Sequence, residues 1–284
     1  MILWITDPHL DYFHSDREIT RWGVSLQETY HPEYVVISGD ISQSIGLKKH
    51  LSLLQKALKA SIWFVPGNHD YWGSDIATVD AICSSLGKKI QCLDSLDYVQ
   101  LEGMTLVGQF AWYDGRAGKG RTSGVQLWDF RRVKDLAAEY QSPWMWQHME
   151  DSRTPLLSRL QTLAWAATQK LEAKICKALQ VSQDIVVVTH VPPYLEAAWY
   201  RGQLSGEEYA PWFSCPTMGE MLSRVAANNP EARFAVLCGH THHHGIYSPH
   251  PNLHVYTGLG REPLPVVSGP ITHDLFDRKA PWER

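Results

Sequence analysis

The sequence of 284 residues has no apolar run of membrane-spanning length and no excess of positive charge. Its net charge of -4 and its isoelectric point of ≈ 6.4 leave no basic patch for long nucleic acids. We expect no secretory leader, because the opening residues "MILWITD" already resemble a buried strand. We therefore expect a globular cytoplasmic protein that binds neither membranes nor long nucleic acids.

Two common functional motifs are also missing. The five cysteines include no CxxC pair, and their odd number argues against a disulfide framework or a zinc cage. The one Gly-Lys-Gly segment, at residues 118–120, lacks the spacing and the strand context of a P-loop. We interpret the cysteines as reduced core residues; they are Cys83, Cys92, Cys176, Cys215 and Cys238.

Three apolar segments near the N-terminus share one pattern. The segments "ILWIT", "YVVIS" and "IWFVP" lead to Asp7, Asp40 and Asn68. Stretches with helical spacing, at about residues 17–30 and 47–60, separate them, which is the arrangement of successive strand–helix–strand units. Such units form parallel strands with right-handed crossovers, so the carboxyl ends of all three strands lie on one edge of a sheet.

Two later strands end in the same way. The segment "DIVVVT" leads to His190, and "RFAVLC" leads to His240 and His242. Helix capping could explain a single polar residue such as Asp40, but it does not explain polar clusters at five strand ends. The residues at these ends are Asp7, His9, Asp40, Asn68, His69, Asp70, His190, His240 and His242.

Carboxylate, imidazole and carboxamide groups are ligands for divalent transition metals of borderline hardness. The absence of a thiolate from the set argues against a structural zinc site. Two divalent ions bring four positive charges, and Asp7 and Asp40 neutralise two of them. A hydroxide and a phosphate can neutralise the rest, as in two-metal sites that hold both oxygens of an in-line displacement. The set is too large for one ion and suits a pair.

The motifs "DPH", "GD", "GNHD", "TH" and "GHTH" occur in the order found in the calcineurin-like metallophosphoesterase superfamily. The sequence resembles this superfamily from Ile2 to about Val267. The resemblance implies an α/β fold of four layers, in which two facing β-sheets are flanked by helices and the site lies at the C-terminal strand ends. We expect a single domain over residues 1–284. Two irregular segments, the first excursion at about 113–155 and the second at about 195–216, are expected to cover the edge of the site.

The resemblance also implies which side chains hold the metals. Manganese, iron, zinc and nickel all suit the donor atoms, and we favour manganese. Two sets of ligands share the carboxylate of Asp40 as a bridge. The first set is Asp7, His9, Asp40 and His242, and the second set is Asp40, Asn68, His190 and His240.

The segment "FVPGNHDYWG", at residues 64–73, places three polar side chains directly after an apolar strand. By the resemblance, Asn68 turns onto a metal and His69 projects beside it as a catalytic residue. We expect Asp70 to support His69 and to favour its imidazolium form, which donates a proton to the leaving alkoxide or steadies charge on the phosphate. The alternative is that His69 is a purely structural histidine and that Asp70 begins the next turn.

Several side chains outside these motifs are candidates for substrate contacts. We interpret the tryptophans as anchors that hold long loops onto the core, rather than as stacking partners for a nucleobase or sugar. Four arginines are candidate phosphate clamps, and nothing in the sequence selects one. These residues are Trp112, Trp128, Trp144, Trp146, Trp199 and Trp212, and Arg116, Arg121, Arg201 and Arg261.

We therefore predict a dinuclear metal-dependent hydrolase of small phosphomonoesters or phosphodiesters, in which a metal-bound hydroxide attacks phosphorus in line. One alternative is a catalytically silent scaffold that keeps the fold in order to bind proteins. Another is a metal-binding protein without turnover. The sequence favours the enzyme because it keeps both the ligand set and the histidine after Asn68, and it leaves the substrate and the oligomeric state open.

Overall fold

The computed structural model describes residues 1–101, 103–261 and 264–283. The strands are β1 (Ile2–Ile5), β2 (Tyr34–Ser38), β3 (Ser61–Val65), β4 (Ile90–Cys92), β5 (Val99–Leu101), β6 (Met104–Gly108), β7 (Asp184–Val188), β8 (Trp199–Tyr200), β9 (Gln203–Leu204), β10 (Arg233–Cys238), β11 (Gly245–His250), β12 (Leu253–Thr257) and β13 (Val267–Ile271). The α-helices are α1 (Asp16–Tyr30), α2 (Ser44–Leu58), α3 (Ile76–Ser84), α4 (Asp129–Arg132), α5 (Lys134–Ala137), α6 (Pro143–His148), α7 (Thr154–Ala178), α8 (Ala210–Phe213) and α9 (Pro216–Asn228).

Two mixed β-sheets form the centre of the molecule. The first has the order β13-β1-β2-β3-β4, in which β1 to β4 are parallel and β13 is antiparallel to β1. The second has the order β11-β12-β10-β7-β6-β5, in which β12, β10, β7 and β6 are parallel. Because parallel strands run the same way, β1, β2 and β3 end on one edge of the first sheet, and β7 and β10 end on one edge of the second.

The central strands are apolar throughout because neighbouring layers cover both faces of each sheet. Every residue of 2–5 and 185–188 is fully buried. The sheets pack against each other, and the helices flank them, with α2 and α3 beside the first sheet and α7 and α9 beside the second. This architecture confirms the predicted fold of two facing sheets flanked by helices.

The helices that flank the sheets are amphipathic. A helix buries one stripe when its apolar residues recur at intervals of three and four. Helix α2 follows this rule, and its inward leucines are fully buried. They are Leu47, Leu51, Leu54 and Leu58.

The two excursions fold back onto the core. The first contains α4, α5 and α6, and the second contains the β8–β9 hairpin and α8. Trp146 and Trp212, one from each excursion, pack around Phe130 with ring centroids 5.2 Å from it in each case. The predicted anchoring role is therefore confirmed for these two tryptophans. It is wrong for Trp128 and Trp144, which are 60% and 62% exposed.

Two further expectations concern the surface and the cysteines. Within the described residues, none of the helices combines the length and the apolar character that crossing a bilayer requires. All five cysteines are free thiols, and four of them are buried. The core assignment is wrong for Cys176 alone, because this residue is exposed.

Candidate metal centre

The structure brings together all seven side chains predicted as metal ligands. Each follows the carboxyl end of a strand, and the five strands belong to two different sheets. The ligands from the first sheet and His190 are buried, whereas the two histidines after β10 are partly exposed. The residues are Asp7 and His9 after β1, Asp40 after β2, Asn68 after β3, His190 after β7, and His240 and His242 after β10.

The first cluster of ligand atoms contains Asp7, His9, Asp40 and His242. One atom from each of these residues lies within 4.8 Å of the others. The Nε2 atoms of His9 and His242 are 3.1 Å apart, and Nε2 of His242 is 3.3 Å from Oδ1 of Asp7. Two ring nitrogens that meet between two carboxylates form a donor set that fits a divalent cation.

The second cluster shares Asp40 with the first. Asp40, His190 and His240 each place a ligand atom within 4.8 Å of the others. Nε2 of His190 is 3.3 Å from Oδ1 of Asp40. The carboxamide oxygen of Asn68 joins this cluster, at 3.1 Å from Nε2 of His190 and 3.0 Å from Nδ1 of His240. The donor atoms again suit a divalent cation, and one carboxylate therefore serves both clusters.

Hydrogen bonds outside the clusters determine which nitrogen each histidine presents. Nδ1 of His190 lies 2.8 Å from the carbonyl oxygen of Ser38, and Nε2 of His240 lies 2.9 Å from the carbonyl oxygen of Trp212. A carbonyl oxygen only accepts, so these two nitrogens carry protons. His190 therefore presents Nε2 to the cluster and His240 presents Nδ1, as metal-binding histidines with an outer partner do.

The backbone is left-handed at five of the seven predicted ligands. Asp and His adopt this conformation more readily than bulky residues, although it is uncommon for any residue except glycine. Such residues cluster at functional sites, where the surrounding structure holds them in place. The φ angles are 46° for Asp7, 41° for His9, 50° for Asp40, 69° for His240 and 63° for His242.

Close packing explains the glycine that precedes Asn68. A Cβ atom added to Gly67 would lie 2.2 Å from Oδ1 of Asp40. Any other residue would therefore displace the carboxylate that both clusters share. The motif "GNHD" thus requires glycine at this position because the loop after β3 lies very close to the loop after β2.

Asp7 and Asp40 determine the charge of the clusters. Burial alone would raise the pKa of Asp7, but His242 and His190 lower it to about 2. Burial also opposes ionisation of Asp40, and His190 and His69 hold its pKa well below the usual value. Burial opposes the charged form of His190 as well, yet the two carboxylates raise its pKa to about 9. The clusters thus attract positive charge into a buried site, which fits metal ions.

Asp129, in the first excursion, orients Asn68 and was not found by sequence reasoning. Its Oδ1 accepts hydrogen bonds from Nδ2 of Asn68 at 2.9 Å and from the indole of Trp72. Its Oδ2 accepts one from the hydroxyl of Tyr113 at 3.0 Å. Because the amide nitrogen of Asn68 is held by Asp129, its amide oxygen faces the histidines of the second cluster. Asp129 is therefore a positioning residue for a candidate ligand.

His69 lies beside the clusters at the floor of a cleft. Its ring stacks on Trp72 with centroids 3.6 Å apart, and its Nε2 is 3.8 Å from Oδ2 of Asp40. Burial lowers the pKa of His69 to about 3; Asp40 opposes this shift, and His9 and His190 add to it. The neighbouring carboxylate of Asp40 favours the imidazolium form, but burial outweighs it and leaves the ring neutral near pH 7, so the expectation of an imidazolium at His69 is wrong.

Asp70 supports the surrounding loops rather than His69. Its carboxylate accepts hydrogen bonds from the backbone amides of Ile41, Ser42 and Gly67 at 2.7–3.2 Å. Among the described residues it makes no hydrogen bond with the ring of His69, so the predicted support is wrong. The two residues lie in a 3₁₀ helix, whose successive side chains point about 120° apart. Asp70 therefore joins the loops after β2 and β3.

A cleft of ≈ 480 Å³ opens above the clusters. Candidate ligands and His69 form its floor. Both excursions contribute to its rim, through Trp128 from the first and Tyr200 from the second. The cleft is thus bounded by irregular segments that the sequence places far apart.

Two of the four candidate arginine clamps line this cleft, namely Arg201 and Arg261. The guanidinium of Arg116 instead pairs with Glu220 at 2.6 Å on the exposed surface. Arg121 donates a hydrogen bond to a hydroxyl of α7. The structure therefore leaves two arginines in position to meet a substrate.

The family described as calcineurin-like phosphoesterase matches residues 1–244. None of the curated proteins matches the chain.

Among solved structures, the phosphopantetheinyl hydrolase of Mycobacterium tuberculosis has a TM-score of 0.56 and 15% sequence identity, over 91% of this chain and 89% of that chain. A dimetal phosphatase from Danio rerio has a TM-score of 0.54 and 13% identity, over 91% of this chain and 87% of that chain. At these sequence identities the two structures show only that the fold is shared. The assignment of the chain to a family rests on the match of the family over residues 1–244. The chain therefore belongs to the calcineurin-like phosphoesterase family and is a metal-dependent hydrolase of phosphate esters.

Proposed function

We propose that this protein hydrolyses small phosphate monoesters or diesters at a centre of two divalent metal ions formed by the strand-end clusters. The observation that carries the proposal is the carboxylate of Asp40, which belongs to both clusters. A carboxylate between two sets of nitrogen and oxygen donors suits a pair of neighbouring ions. The family match supports a phosphoesterase independently of this geometry.

Each proposed ion has its own set of ligands. When bound, two such ions activate water and neutralise the charge that develops on a phosphate. Manganese, iron, zinc and nickel suit these nitrogen and oxygen donors, and we favour manganese. The first set is Asp7, His9, Asp40 and His242, and the second set is Asp40, Asn68, His190 and His240.

We assign His69 as the catalytic residue that faces the leaving oxygen. Its stacking on Trp72 fixes the plane of the ring, and its Nδ1 is buried without a hydrogen-bond partner in the described part of the chain. A neutral imidazole can donate its N–H to the leaving oxygen, and a bound phosphate raises the pKa of the ring because opposite charges attract. The ring can then pass a proton as the ester bond breaks in line with the attacking water.

The cleft suits a small phosphorylated substrate. Its volume of ≈ 480 Å³ falls within the range of small-molecule pockets. Trp128 and Tyr200 on its rim support our proposal that one domain spans residues 1–284 and that the two excursions cover the edge of the site. We further infer a cytoplasmic location, which the five free thiols support.

The test of this function begins with metal-stripped protein. We expect added Mn²⁺, Ni²⁺, Zn²⁺ or Mg²⁺ to restore hydrolysis of p-nitrophenyl phosphate or of its bis ester, measured by release of p-nitrophenolate. Binding of two ions without turnover would favour a metal-binding protein over an enzyme. Failure to bind ions and to turn over either ester would favour the silent scaffold.

Replacement of the shared carboxylate tests the two-ion centre. We expect Asp40→Asn to lose both ions and most of its activity, because the substitution removes the negative charge that serves both sets. Elemental analysis of the purified variant measures the ion content. The matched control is Asp97→Asn, since the Asp97 side chain is 60% exposed and pairs only with a surface lysine in the described contacts. Retention of two tightly bound ions by Asp40→Asn would contradict the shared site.

Replacement of His69 separates proton donation from metal binding. We expect His69→Ala to keep both ions and to lose about a hundredfold or more in turnover of an alkyl phosphate, whose leaving group needs a proton. The loss with p-nitrophenyl phosphate is expected to be much smaller, because p-nitrophenolate leaves without one. The control is His148→Ala on the exposed surface. An unchanged rate with the alkyl phosphate would remove His69 from the mechanism.

Replacement of Asp129 tests the orientation of Asn68. We expect Asp129→Ala, which removes the acceptor of the Asn68 amide, to weaken binding of the second ion roughly tenfold to a hundredfold, because outer partners of metal ligands contribute about this much. Calorimetric titration of the metal-stripped protein gives the affinity and the stoichiometry. Tyr113→Phe is the matched control, since it removes one hydrogen bond to Asp129 and leaves the bond to Asn68 in place. Native affinity for both ions in Asp129→Ala would contradict the role.

A further inference from the structure

A second pocket of ≈ 440 Å³ adjoins the metal cleft. It is formed by the second excursion, and two of its residues, Tyr200 and Phe213, also line the cleft. The two cavities therefore share part of their wall. The pocket is lined by Tyr200, Gln203, Leu204, Ser205, Gly206, Tyr209 and Phe213.

The wall of this pocket is a defined hairpin. Strands β8 and β9 are joined by Arg201 and Gly202, whose φ angles of 50° and 74° are those of a type I′ turn. The ring of Trp199 packs against the backbone of Gly245, where a Cβ atom would come within 1.7 Å of the indole. The amide of Ser205 donates to the carbonyl oxygen of Ala198 at 2.9 Å. These contacts hold the hairpin at the edge of the cleft.

Two aromatic residues that line the pocket are about half exposed. Tyr200 is 47% exposed and Tyr209 is 50% exposed. Tyr209 packs on Phe213 with ring centroids 5.6 Å apart, and Phe213 packs edge-to-face on His240 at 5.2 Å. The row of rings thus begins in the second pocket and ends at a candidate metal ligand. Exposed apolar surface of this kind commonly marks a binding site.

The polarity changes along this row. At the cleft end, the guanidinium of Arg201 lies 5.3 Å from the centroid of the Tyr200 ring and lines the metal cleft. At the far end, the described residues of the lining include Leu204 and Tyr209 and no charged side chain. A ligand that spans both cavities is therefore met by positive charge at one end and by aromatic faces at the other.

We propose that the second pocket binds a planar aromatic ring carried by the alcohol part of the substrate, while the phosphate lies in the metal cleft. This inference rests on the proposed phosphoesterase function. Stacking on tyrosine and phenylalanine suits a nucleobase or another flat ring, since every such ring has a face to stack. The shared wall at Tyr200 and Phe213 places this subsite one ring away from His240.

Substrate pairs with equivalent leaving groups provide the first test. The first pair is adenosine 5′-monophosphate and methyl ribofuranoside 5-phosphate, and the second pair is 2-phenylethyl phosphate and n-hexyl phosphate. If the enzyme prefers diesters, the methyl diesters of these four compounds are used instead. We expect kcat/KM to favour the ring-bearing member by roughly tenfold or more, the usual effect of stacking one ring. A preference in the first pair alone shows that the pocket binds a nucleobase. A preference in both pairs shows that it binds aromatic rings in general. Equal rates within both pairs would overturn the proposal.

Two variants then locate the preference in the pocket. Tyr209→Ala removes a stacking face, and Gly206→Phe adds a side chain at a position where a Cβ atom meets no atom of the described residues within 4 Å. We expect both to lower the ratio of kcat/KM within the preferred pair by roughly tenfold. Gly87→Phe is the matched control, because Gly87 has the same open surroundings and does not line either cavity. A ratio that stays native in both pocket variants would place the ring elsewhere and overturn the assignment.

A binding measurement keeps this proposal separate from the proposed function. Saturation-transfer NMR with adenosine and with 2-phenylethanol reports ring contact without any turnover. We expect transfer to the ring protons in the native protein and in Gly87→Phe, and its loss in Gly206→Phe. If no ester is hydrolysed but this pattern holds, the phosphoesterase proposal fails while the ring site stands. Absence of transfer in the native protein would overturn the ring site.

Discussion

Two carboxylates buried where the sheets meet impose the constraint on which the site depends. A buried anion is unstable unless hydrogen bonds or opposite charges surround it. Asp7 accepts hydrogen bonds from the hydroxyl of Thr6 at 2.6 Å and from the amide of His240 at 3.0 Å. Asp40 accepts one from the amide of His69 at 2.9 Å. Each carboxylate is thus held partly by a neighbouring strand end, so neither can stay ionised in its buried position unless the ends of several strands remain together.

Much of this arrangement could be predicted from sequence because its signal is local. An apolar run followed by a polar ligand marks a strand end wherever it occurs, and parallel topology then brings such ends to one edge. The partners of those residues give no such signal. Asp129 begins the four-residue helix α4, which is too short to show periodicity in the sequence, and its contact with Asn68 joins residues 61 positions apart. The carbonyl oxygen that orients His240 belongs to the backbone of Trp212, so no side chain marks it.

The errors in the sequence-based predictions also have physical causes. Asp70 follows His69 directly, but adjacency in sequence does not put two side chains on one face of a 3₁₀ helix. The neutral state of His69 follows from burial, which a sequence shows only indirectly. Trp128 was expected to anchor a loop, but its side chain is exposed and lines the cleft. The neighbouring residue, Asp129, anchors this segment instead, through the hydrogen bonds of its buried carboxylate.

The two ligand sets differ in what holds them. The carboxylate of Asp7 in the first set is fixed by groups at the strand ends themselves. Two ligands of the second set, Asn68 and His240, depend on Asp129 and on the carbonyl oxygen of Trp212, and each of these partners belongs to a different excursion. The same two segments form the rim of the cleft. Because one pair of segments both borders the substrate and orients the second set, a change in their sequence acts on substrate selection and on ligand geometry together.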